Sequence, residues 1–483
     1  MSLAAVLRIL GLLLTVFSLT LLPPMLLALF SQDGAAVAFA SAFGLTLGVG
    51  VLCWLPVRHV RRELRLRDGF IVVVMFWTVL SAIGALPFIL ADDPHLTLTD
   101  AVFESVSGLT TTGATVITRL DELPISILYY RQQLQWLGGM GIIVLAVAVL
   151  PMLGIGGMQL YRAETPGPMK DSKLTPRITE TAKALWYIYL SLTIACGLAY
   201  WLAGMSVFDA VGHAFSTVAI GGFSTHDASM GHFNSPVIDL IAVVFMFLAA
   251  VNFSLHFVAF RHRSVKGYWH DSEFRFYVLL LSITISITVL GLYFTETYDH
   301  WQDALVTGLF QAVSIGTTAG FTTAEFYNWP GFIAILLLFS SFVGGCAGST
   351  GGGIKVIRLL LLVKQGLREI TRLVHPSAHI PVRIGTKTVD SRVVEAVWGF
   401  FALYVASFTI MYLALATTGL DLMTAFSAVA ASINNLGPGL GSVGAHYAAM
   451  HDLGKWILCF AMLLGRLEIF TLLVLLTPAF WRK

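Results

Sequence analysis

Long apolar runs recur along the whole chain, and this feature constrains its fold more than any other. A helix needs about 20 apolar residues to cross the hydrocarbon core of a bilayer. Only 12% of the 483 residues are charged, whereas soluble globular chains carry about 25%. The sequence therefore predicts an all-α polytopic membrane protein and excludes a soluble enzyme, a disordered chain and a disulfide scaffold. The ten predicted transmembrane spans lie at about 9–30, 35–55, 70–90, 133–153, 183–203, 237–260, 276–294, 332–363, 393–414 and 456–478.

Basic residues orient these spans. Of the 29 lysines and arginines, 25 fall in segments that share one side if the ten spans are correct. Arg119, Arg131 and Lys455 fall on the other side, and Arg466 lies within the last span. Because positively charged loops stay in the cytoplasm, we expect both termini to be cytoplasmic. The outer face then carries 16 of the 27 acidic residues, which would concentrate cations; a simple shortage of outer lysines and arginines explains the same imbalance.

A short apolar segment followed by a glycine-containing loop occurs four times, between spans 3 and 4, 5 and 6, 7 and 8, and 9 and 10. Each segment is too short to cross a bilayer, which is typical of a re-entrant half-helix. The second and third copies, 213–225 and 311–323, are identical at five of 13 positions. The first copy keeps the serine and the glycine in register, whereas the fourth aligns only after a one-residue shift at Gly437.

An even number of spans separates successive copies, so all four copies share one orientation. This predicts four parallel span–half-helix–loop–span repeats around a central pore, plus two N-terminal helices. The predicted divisions are residues 1–57 for the two extra helices, 69–160 for repeat 1, 181–263 for repeat 2, 274–372 for repeat 3 with a broken last helix, and 392–483 for repeat 4.

The four loops predict a selectivity filter for a monovalent cation. Glycine allows a backbone to aim carbonyl groups at one point, and rings of carbonyls replace the hydration shell of a bare ion. Acidic residues are lacking at the loop tips, so a divalent-selective carboxylate ring is not expected. A glycine-rich turn between packed helices would explain any one loop, but not four in register. The predicted filter residues are Thr111, Thr112, Gly113, Ile220, Gly221, Gly222, Thr318, Ala319, Gly320, Asn435, Leu436 and Gly437.

Further stretches carry a family resemblance. They are Gln135–Ile143, Gly156–Leu160, Thr175–Thr179 and Asn434–Pro438. With the four loops, they make the chain resemble the membrane subunit, of the TrkH or TrkG type, of bacterial Trk potassium uptake systems within the Trk/Ktr/HKT superfamily. In that family a serine at the position of Gly113 accompanies sodium transport, so the glycine favours potassium.

The resemblance implies several properties that the residues alone do not. It implies potassium uptake across the bacterial inner membrane, with potassium at the filter residues and no other cofactor on this chain. It also implies a homodimer with one pore per subunit and a cytoplasmic ring of TrkA-like regulatory subunits that bind NAD and adenine nucleotides. The chain itself lacks a phosphate-binding motif, because Lys355 does not directly follow the closing glycine of the Gly348–Gly353 stretch. No nucleic-acid partner is expected.

A glycine-rich break and a buried arginine are the predicted gating elements. Glycine disfavours a helix by about 1 kcal/mol per residue relative to alanine, and irregular backbone at membrane depth must be buried in protein or line a cavity. We therefore expect a loop below the filter that blocks the pore, although a close helix-packing patch is the alternative. The glycines are Gly344, Gly345, Gly348, Gly351, Gly352 and Gly353. Arg466 is expected in the pore below the filter, where it would repel cations; an interhelical salt bridge is the alternative.

Two other functions stay open at this stage. The first is an ion-coupled symporter driven by protons or sodium, with Glu468 as its mid-span acid. The second, an intramembrane enzyme, is disfavoured because the sequence offers no paired acids or nucleophile–base spacing, so we expect no enzyme activity. The 13 histidines show no metal-ligand spacing, so a histidine metal site is not expected. The basic segments 162–183 and 364–392 fit either anionic-lipid contact or docking of the regulatory ring.

Overall fold

The computed structural model describes residues 3–60, 66–144 and 178–482. Most of the described residues are helical. Their β-structure is one small hairpin, in which the strands Arg383–Ile384 and Lys387–Thr388 pair. The helices that form spans 1 to 10 are, in order, Leu3–Leu19 with Leu22–Ser31, Ala36–Trp54, Leu66–Gly84 with Leu86–Leu90, Ile125–Val144, Ile178–Leu202, Pro236–Ala249 with Phe253–His262, Ser272–Phe294, Gly331–Val343 with Val356–Val374, Ser391–Ala416, and Asp452–Arg466 with Phe470–Leu476. The predicted all-α membrane architecture is confirmed.

Parts of the sequence prediction fall outside the described residues. These parts are the continuation of span 4 beyond Val144, the stretch Gly156–Leu160, the start of the stretch at 175–179 and most of the basic segment 162–183. The ranges assigned to the four repeats stay predictions.

The four half-helices are short, and three of them begin at side-chain caps. They comprise Leu98–Leu109, Val207–Val218, Trp301–Gly316 and Leu422–Ile433. The side chains of Thr97, Ser206 and Asp421 accept hydrogen bonds from backbone N–H groups three residues further on, at 3.3, 3.0 and 3.0 Å. Such N-caps satisfy donors that the first helical turn cannot use. Three half-helices therefore begin at capping residues, whereas His300 before the third makes no side-chain cap hydrogen bond.

Spans 6 and 10 are bent, which corrects the prediction of continuous helices at 237–260 and 456–478. The two helices of span 6 meet at 94° and those of span 10 at 117°. In span 6, the N–H of Cys346 donates to the carbonyl of Ala250 at 2.8 Å, and the carbonyl of Gly348 accepts from the N–H of Phe253 at 3.0 Å. Contacts with the glycine loop thus replace hydrogen bonds within the helix. Asn252 caps the second half of the span through Ser254 N–H at 2.8 Å.

In span 10 the backbone reverses at Glu468 and Ile469, whose φ angles are +54° and +57°. The first helix of this span ends directly after Arg466. The predicted pore arginine therefore lies at a helix end and not in the middle of a continuous helix.

The polar and apolar surfaces are arranged as a lipid environment requires. Phe103, Phe223 and Phe310, on the half-helices and loops, are fully buried or nearly so, whereas Phe30 and Phe294 on the spans are 85% and 75% exposed. Bilayer lipid is as apolar as these side chains, so their exposure costs nothing in a membrane. The spans thus surround a core built from the half-helices and their loops.

Candidate functional site

The four loops leave their half-helices in the same way. The residue before each filter glycine donates its N–H to the carbonyl five residues back, and all four distances are 2.8 Å. The donor–acceptor pairs are Thr112–Ser107, Gly221–Ser216, Ala319–Ser314 and Leu436–Ala431. Each glycine lies four residues after the last helical residue. The structure therefore aligns Gly437 with the other three glycines without a shift, which corrects the sequence alignment. The apparent shift came from Ser432: the position six residues before the glycine is serine in the first three loops and Ala431 in the fourth.

Each loop has two positions with a positive φ, separated by one residue. The first predicted filter residue of each loop has a positive φ: Thr111 +53°, Ile220 +52°, Thr318 +69° and Asn435 +53°. The glycines two residues later have φ angles of +83°, +79°, +81° and +98°. A non-glycine residue in this region costs about 1–3 kcal/mol and persists only where the surroundings enforce it. The same strain at one register of all four loops indicates a shared functional geometry.

The loops form a closed ring in chain order. A Cβ on Gly113 would lie 2.1 Å from the carbonyl oxygen of Gly221, far inside van der Waals contact. The next two joints are equivalent: Gly222 faces the oxygen of Ala319 at 2.2 Å, and Gly320 faces that of Leu436 at 2.0 Å. The fourth joint closes the ring, because a Cβ on Gly437 would lie 2.6 Å from the oxygen of Thr112. Eight of the twelve predicted filter residues thus form the joints of one ring, and a Cβ on any of the four glycines would collide there.

A polar side chain nine residues before the glycine braces three of the loops. Glu104 accepts from Val116 N–H at 3.0 Å and Gln311 accepts from Thr323 N–H at 3.0 Å. His213 hydrogen-bonds Ser224 Oγ at 2.9 Å. In the fourth repeat this position is alanine, and the neighbouring Ser427 accepts from Leu440 N–H at 2.8 Å instead. The sequence alignment contained this signal at His213 and Gln311, but their role needed the structure.

A buried ion pair joins the first two loops. Arg131 Nε lies 2.8 Å from Glu104 Oε1, and the two side chains are 1% and 0% exposed. The guanidinium also donates to the carbonyl of Ser224 at 3.0 Å and lies 4.2 Å from the ring centre of Phe223. Charges so deeply buried are tolerated only when paired and hydrogen-bonded. Sequence reasoning counted Arg131 as an ordinary outer-face residue and missed this role.

Gln135, the first residue of the Gln135–Ile143 stretch, clamps the second loop. Its side-chain Nε2 donates to the carbonyl of Gly221 at 2.6 Å, and its Oε1 accepts from Phe223 N–H at 3.0 Å. A Cβ on Gly221 would lie 2.4 Å from this amide. The glycine and the glutamine therefore require one another.

A polar vestibule adjoins the ring. Its cavity of about 330 Å³ is lined by all four filter glycines and by Arg131, His226, Asp227 and Glu325 among others. At its rim, His226 Nδ1 lies 2.5 Å from Asp121 Oδ1, and His226 Nε2 lies 3.4 Å from Asp209 Oδ1. Burial lowers the pKa of His226, but the two carboxylates outweigh burial and raise it. Burial likewise raises the pKa of Asp121, but hydrogen bonds from His226 and Asp227 N–H prevail and lower it.

The glycine loop of span 8 lies against the opposite ends of the filter loops. Gly352 N–H donates to Thr318 Oγ1 at 2.7 Å, and Gly353 N–H donates to the carbonyl of Asn434 at 3.1 Å. Thr350 Oγ1 donates to the carbonyl of Val218 at 2.9 Å. The loop therefore contacts three of the four repeats directly below the ring. Left-handed φ angles at Gly344, Gly348 and Gly353 (+68°, +72° and +77°) explain why glycine occurs there.

Arg466 reaches this loop from span 10. Its guanidinium donates to the carbonyls of Thr350 and Gly138, both at 3.3 Å, and the residue is 5% exposed. Among the described residues, no acidic side chain lies within 4.0 Å of the Arg466 guanidinium. The geometry therefore does not support the alternative of an interhelical salt bridge. Glu468 pairs with Arg358 instead.

These features define a class: a polytopic membrane protein whose single chain forms a fourfold ring of re-entrant loops above an intramembrane glycine loop. The TrkH family model, described as a cation transport protein, matches residues 35–483. The chain is 60% identical over the full length of both chains to the Trk system potassium uptake protein TrkH of Vibrio parahaemolyticus. It is 55% identical to TrkH of Escherichia coli K12, again with complete coverage of both. With TrkG of the same strain it shares 44% identity over 98% of this chain and 97% of TrkG.

A solved structure extends these similarities to three dimensions. The crystal structure of the potassium transporter TrkH from Vibrio parahaemolyticus superimposes with a TM-score of 0.93 at 57% identity, covering all of both chains. The protein belongs to the TrkH family of cation transport proteins.

Proposed function

We propose that the protein takes up potassium across the bacterial inner membrane through the ring of four loops. The closed backbone ring, in which each glycine faces a carbonyl of the next loop, is the single observation that carries this proposal. Carbonyl rings replace the hydration shell of potassium. The half-helices end four residues before the glycines, so the partly negative C-terminal ends of four helix dipoles surround the ring and favour a cation. The relatives named as potassium uptake proteins support potassium as the ion.

The role of this chain is transport and not catalysis, and potassium at the filter is the one ion that it binds for this purpose. Uptake needs no pump in this arrangement. An inside-negative membrane potential favours entry of a monovalent cation by about 2.3 kcal/mol per 100 mV.

Flux through the purified protein tests this proposal. Liposomes that contain only this chain are loaded with potassium or sodium gradients, and rubidium-86 and sodium-22 fluxes are compared. We expect potassium and rubidium flux well above sodium flux, dissipating with the gradient. Flux that requires an added proton or sodium gradient would instead support the alternative, an ion-coupled symporter. The pairing of Glu468 with Arg358 disfavours that alternative, because this carboxylate is already engaged by a cationic side chain of the same protein.

The glycine loop of span 8 and Arg466 form the gate in this proposal. The loop lies below three of the four filter loops, and Arg466 adds a positive charge at the same level. Both features oppose the exit of cations from the ring. Release of the loop from Thr318 and Asn434 would open the path.

A glycine substitution tests the gate. A Cβ on Gly352 would lie 2.0 Å from the carbonyl of Asn434, whereas a Cβ on Gly366, in the helix that follows the loop, meets nothing within 4 Å. We expect Gly352→Ala to displace the loop and raise potassium flux severalfold with the potassium-to-sodium ratio retained. Gly366→Ala serves as the control with wild-type flux. Wild-type flux in both variants would argue against a blocking loop.

The finer assembly is proposed from the Trk resemblance. The protein forms a homodimer, and a cytoplasmic TrkA-like ring that binds NAD and adenine nucleotides controls the gate. The segment 364–392 begins within Val356–Val374, the helix that follows the glycine loop. It carries six basic residues: Lys364, Arg368, Arg372, Arg383, Lys387 and Arg392. Co-purification tests this docking. The double substitution Arg383→Glu with Lys387→Glu should abolish recovery of the ring while leaving membrane insertion intact, and unchanged recovery would favour contact of this segment with lipid.

A further inference from the structure

Three potential metal ligands meet at the rim of the vestibule. Asp121 lies in a short 3₁₀ helix after the first filter loop, and His226 and His232 follow the second filter loop. One ligand atom from each residue lies within 4.8 Å of the other two. The histidines are six residues apart and the carboxylate comes from another repeat, so no sequence motif could reveal this group.

The two imidazole rings are held face to face. Their centres are 3.5 Å apart and their planes differ by 2°. Two imidazole nitrogens and one carboxylate oxygen form a donor set suited to zinc and related divalent ions.

The surroundings orient these ligands. Asp121 Oδ2 accepts from Asp227 N–H at 3.3 Å. Asp209 lies behind His226, with its Oδ1 3.4 Å from Nε2, and is held by Ser206 Oγ at 2.7 Å and Thr225 Oγ1 at 2.8 Å. A carboxylate behind a histidine is the usual second layer of a metal site, because it fixes the ring and raises its basicity.

We propose that Asp121, His226 and His232 form a binding site for a divalent transition-metal ion of the zinc class, with two histidine nitrogens and one carboxylate oxygen as protein ligands. Zinc bonds to such ligands are about 2.0–2.2 Å long. A shared ion would therefore take the place of the hydrogen bond between His226 Nδ1 and Asp121 Oδ1, and the stacked rings would turn until each directs one nitrogen at the ion. Asp121 and His232 are exposed and free to move in this way. Water completes the coordination, since two of the three ligands are exposed.

A metal ion at this position has a consequence for transport, which rests on the proposed function. His226 lines the same cavity as the four filter glycines. A bound dication adds two positive charges to the path by which potassium would reach the ring. Zinc should therefore inhibit potassium flux from this side.

Direct binding tests the site independently of transport. Isothermal titration of purified, metal-free protein with zinc chloride at pH 7.5 should give one site per chain. His232→Ala should weaken this binding at least tenfold, and Asp121→Asn should weaken it as well, while thermal unfolding confirms that both variants fold. His262→Ala, which removes an exposed histidine after span 6, is the matched control and should bind as the wild type does. Equal zinc affinity in the wild type and His232→Ala would overturn the site.

Flux measurements then test the consequence. In liposomes, zinc on the vestibule side should reduce rubidium flux of the wild type severalfold and leave that of His232→Ala unchanged. The flux without zinc is measured first, so that failure of the proposed transport is recognised separately. Zinc binding with undiminished flux would overturn the inhibition, and equal inhibition of both proteins would overturn the assignment of inhibition to this site.

Discussion

At the scale of single residues, the ring joints give the sharpest prediction. Gly320 and Gly419 have similar φ angles of +81° and +87°, but a Cβ on Gly320 would lie 2.0 Å from the carbonyl of Leu436, whereas one on Gly419 meets nothing within 4 Å. Alanine strains both backbones, but only Gly320→Ala forces the ring apart. We expect Gly320→Ala to reduce rubidium uptake at least tenfold and Gly419→Ala to keep it near wild type. Equal uptake at matched membrane levels would show that the joint is not tight.

The buried pair Arg131–Glu104 gives a prediction about stability. Removing one member of a buried ion pair leaves an uncompensated charge and costs about 3–5 kcal/mol. Arg131→Ala should therefore lower the unfolding temperature in detergent by many degrees. Arg119→Ala is the control, because Arg119 and Glu122 pair at 3.3 Å with side chains 76% and 68% exposed, where solvent screens the attraction.

A double substitution separates charge from shape at this position. In Arg131→Met with Glu104→Gln, neither buried charge is left alone, so part of the lost stability should return. An unfolding temperature as low as that of Arg131→Ala would instead assign the loss to the hydrogen bonds of the guanidinium with Ser224 and Thr115.

Residue identity alone predicted some of these roles and not others. The four glycines of the ring could be singled out because the four copies repeat a similar register. Arg131 could not, because its partner Glu104 is 27 residues away and only the fold brings them together. The histidines at the vestibule rim escaped detection for the same reason, since their carboxylate comes from another repeat.

At the scale of elements, Arg466 gives a prediction about the gate. Its guanidinium holds the carbonyls of Thr350 and Gly138, and its charge lies below the ring. Arg466→Ala should raise rubidium flux severalfold, while Arg466→Lys, which keeps the charge, should stay nearer to wild type. Flux assays on both variants in liposomes decide this. Unchanged flux with a lowered unfolding temperature in Arg466→Ala would assign the arginine a purely structural role.

Local sequence signals predicted the helices well, but they predicted only some of the breaks within the helices. The six glycines between 344 and 353 predicted the break in span 8, because glycine disfavours helix at every position. The break in span 6 arises where its backbone hydrogen-bonds to that distant loop instead of to itself. Apart from Asn252, the apolar sequence of span 6 gives no local sign of this break, so it was predicted as one span. Half-helices were predictable because the apolar segments were too short to span and ended in glycine-containing polar stretches.

At the scale of the whole molecule, the distribution of basic residues predicts which face each loop occupies. Glu296, between span 7 and the third half-helix, should be outside, and Arg482 at the C-terminus should be inside. Single cysteines at these exposed positions test this in a Cys53→Ser background, since Cys196, Cys346 and Cys459 are buried. An impermeant maleimide should label Glu296→Cys in right-side-out vesicles and Arg482→Cys in inverted vesicles. Labelling of both from one side would contradict the ten-span topology.

The closed ring of four unequal loops has a genetic consequence. In a pore made of four identical subunits, one codon change alters every quadrant at once, whereas here it alters one quarter of the circumference. The left-handed position is already threonine, isoleucine, threonine and asparagine in the four loops. The bracing position likewise holds glutamate, histidine, glutamine and alanine. If the ring selects the ion as proposed, mutation would adjust ion preference in quarter steps, and each quadrant could acquire its own accessory chemistry while the other three maintain passage.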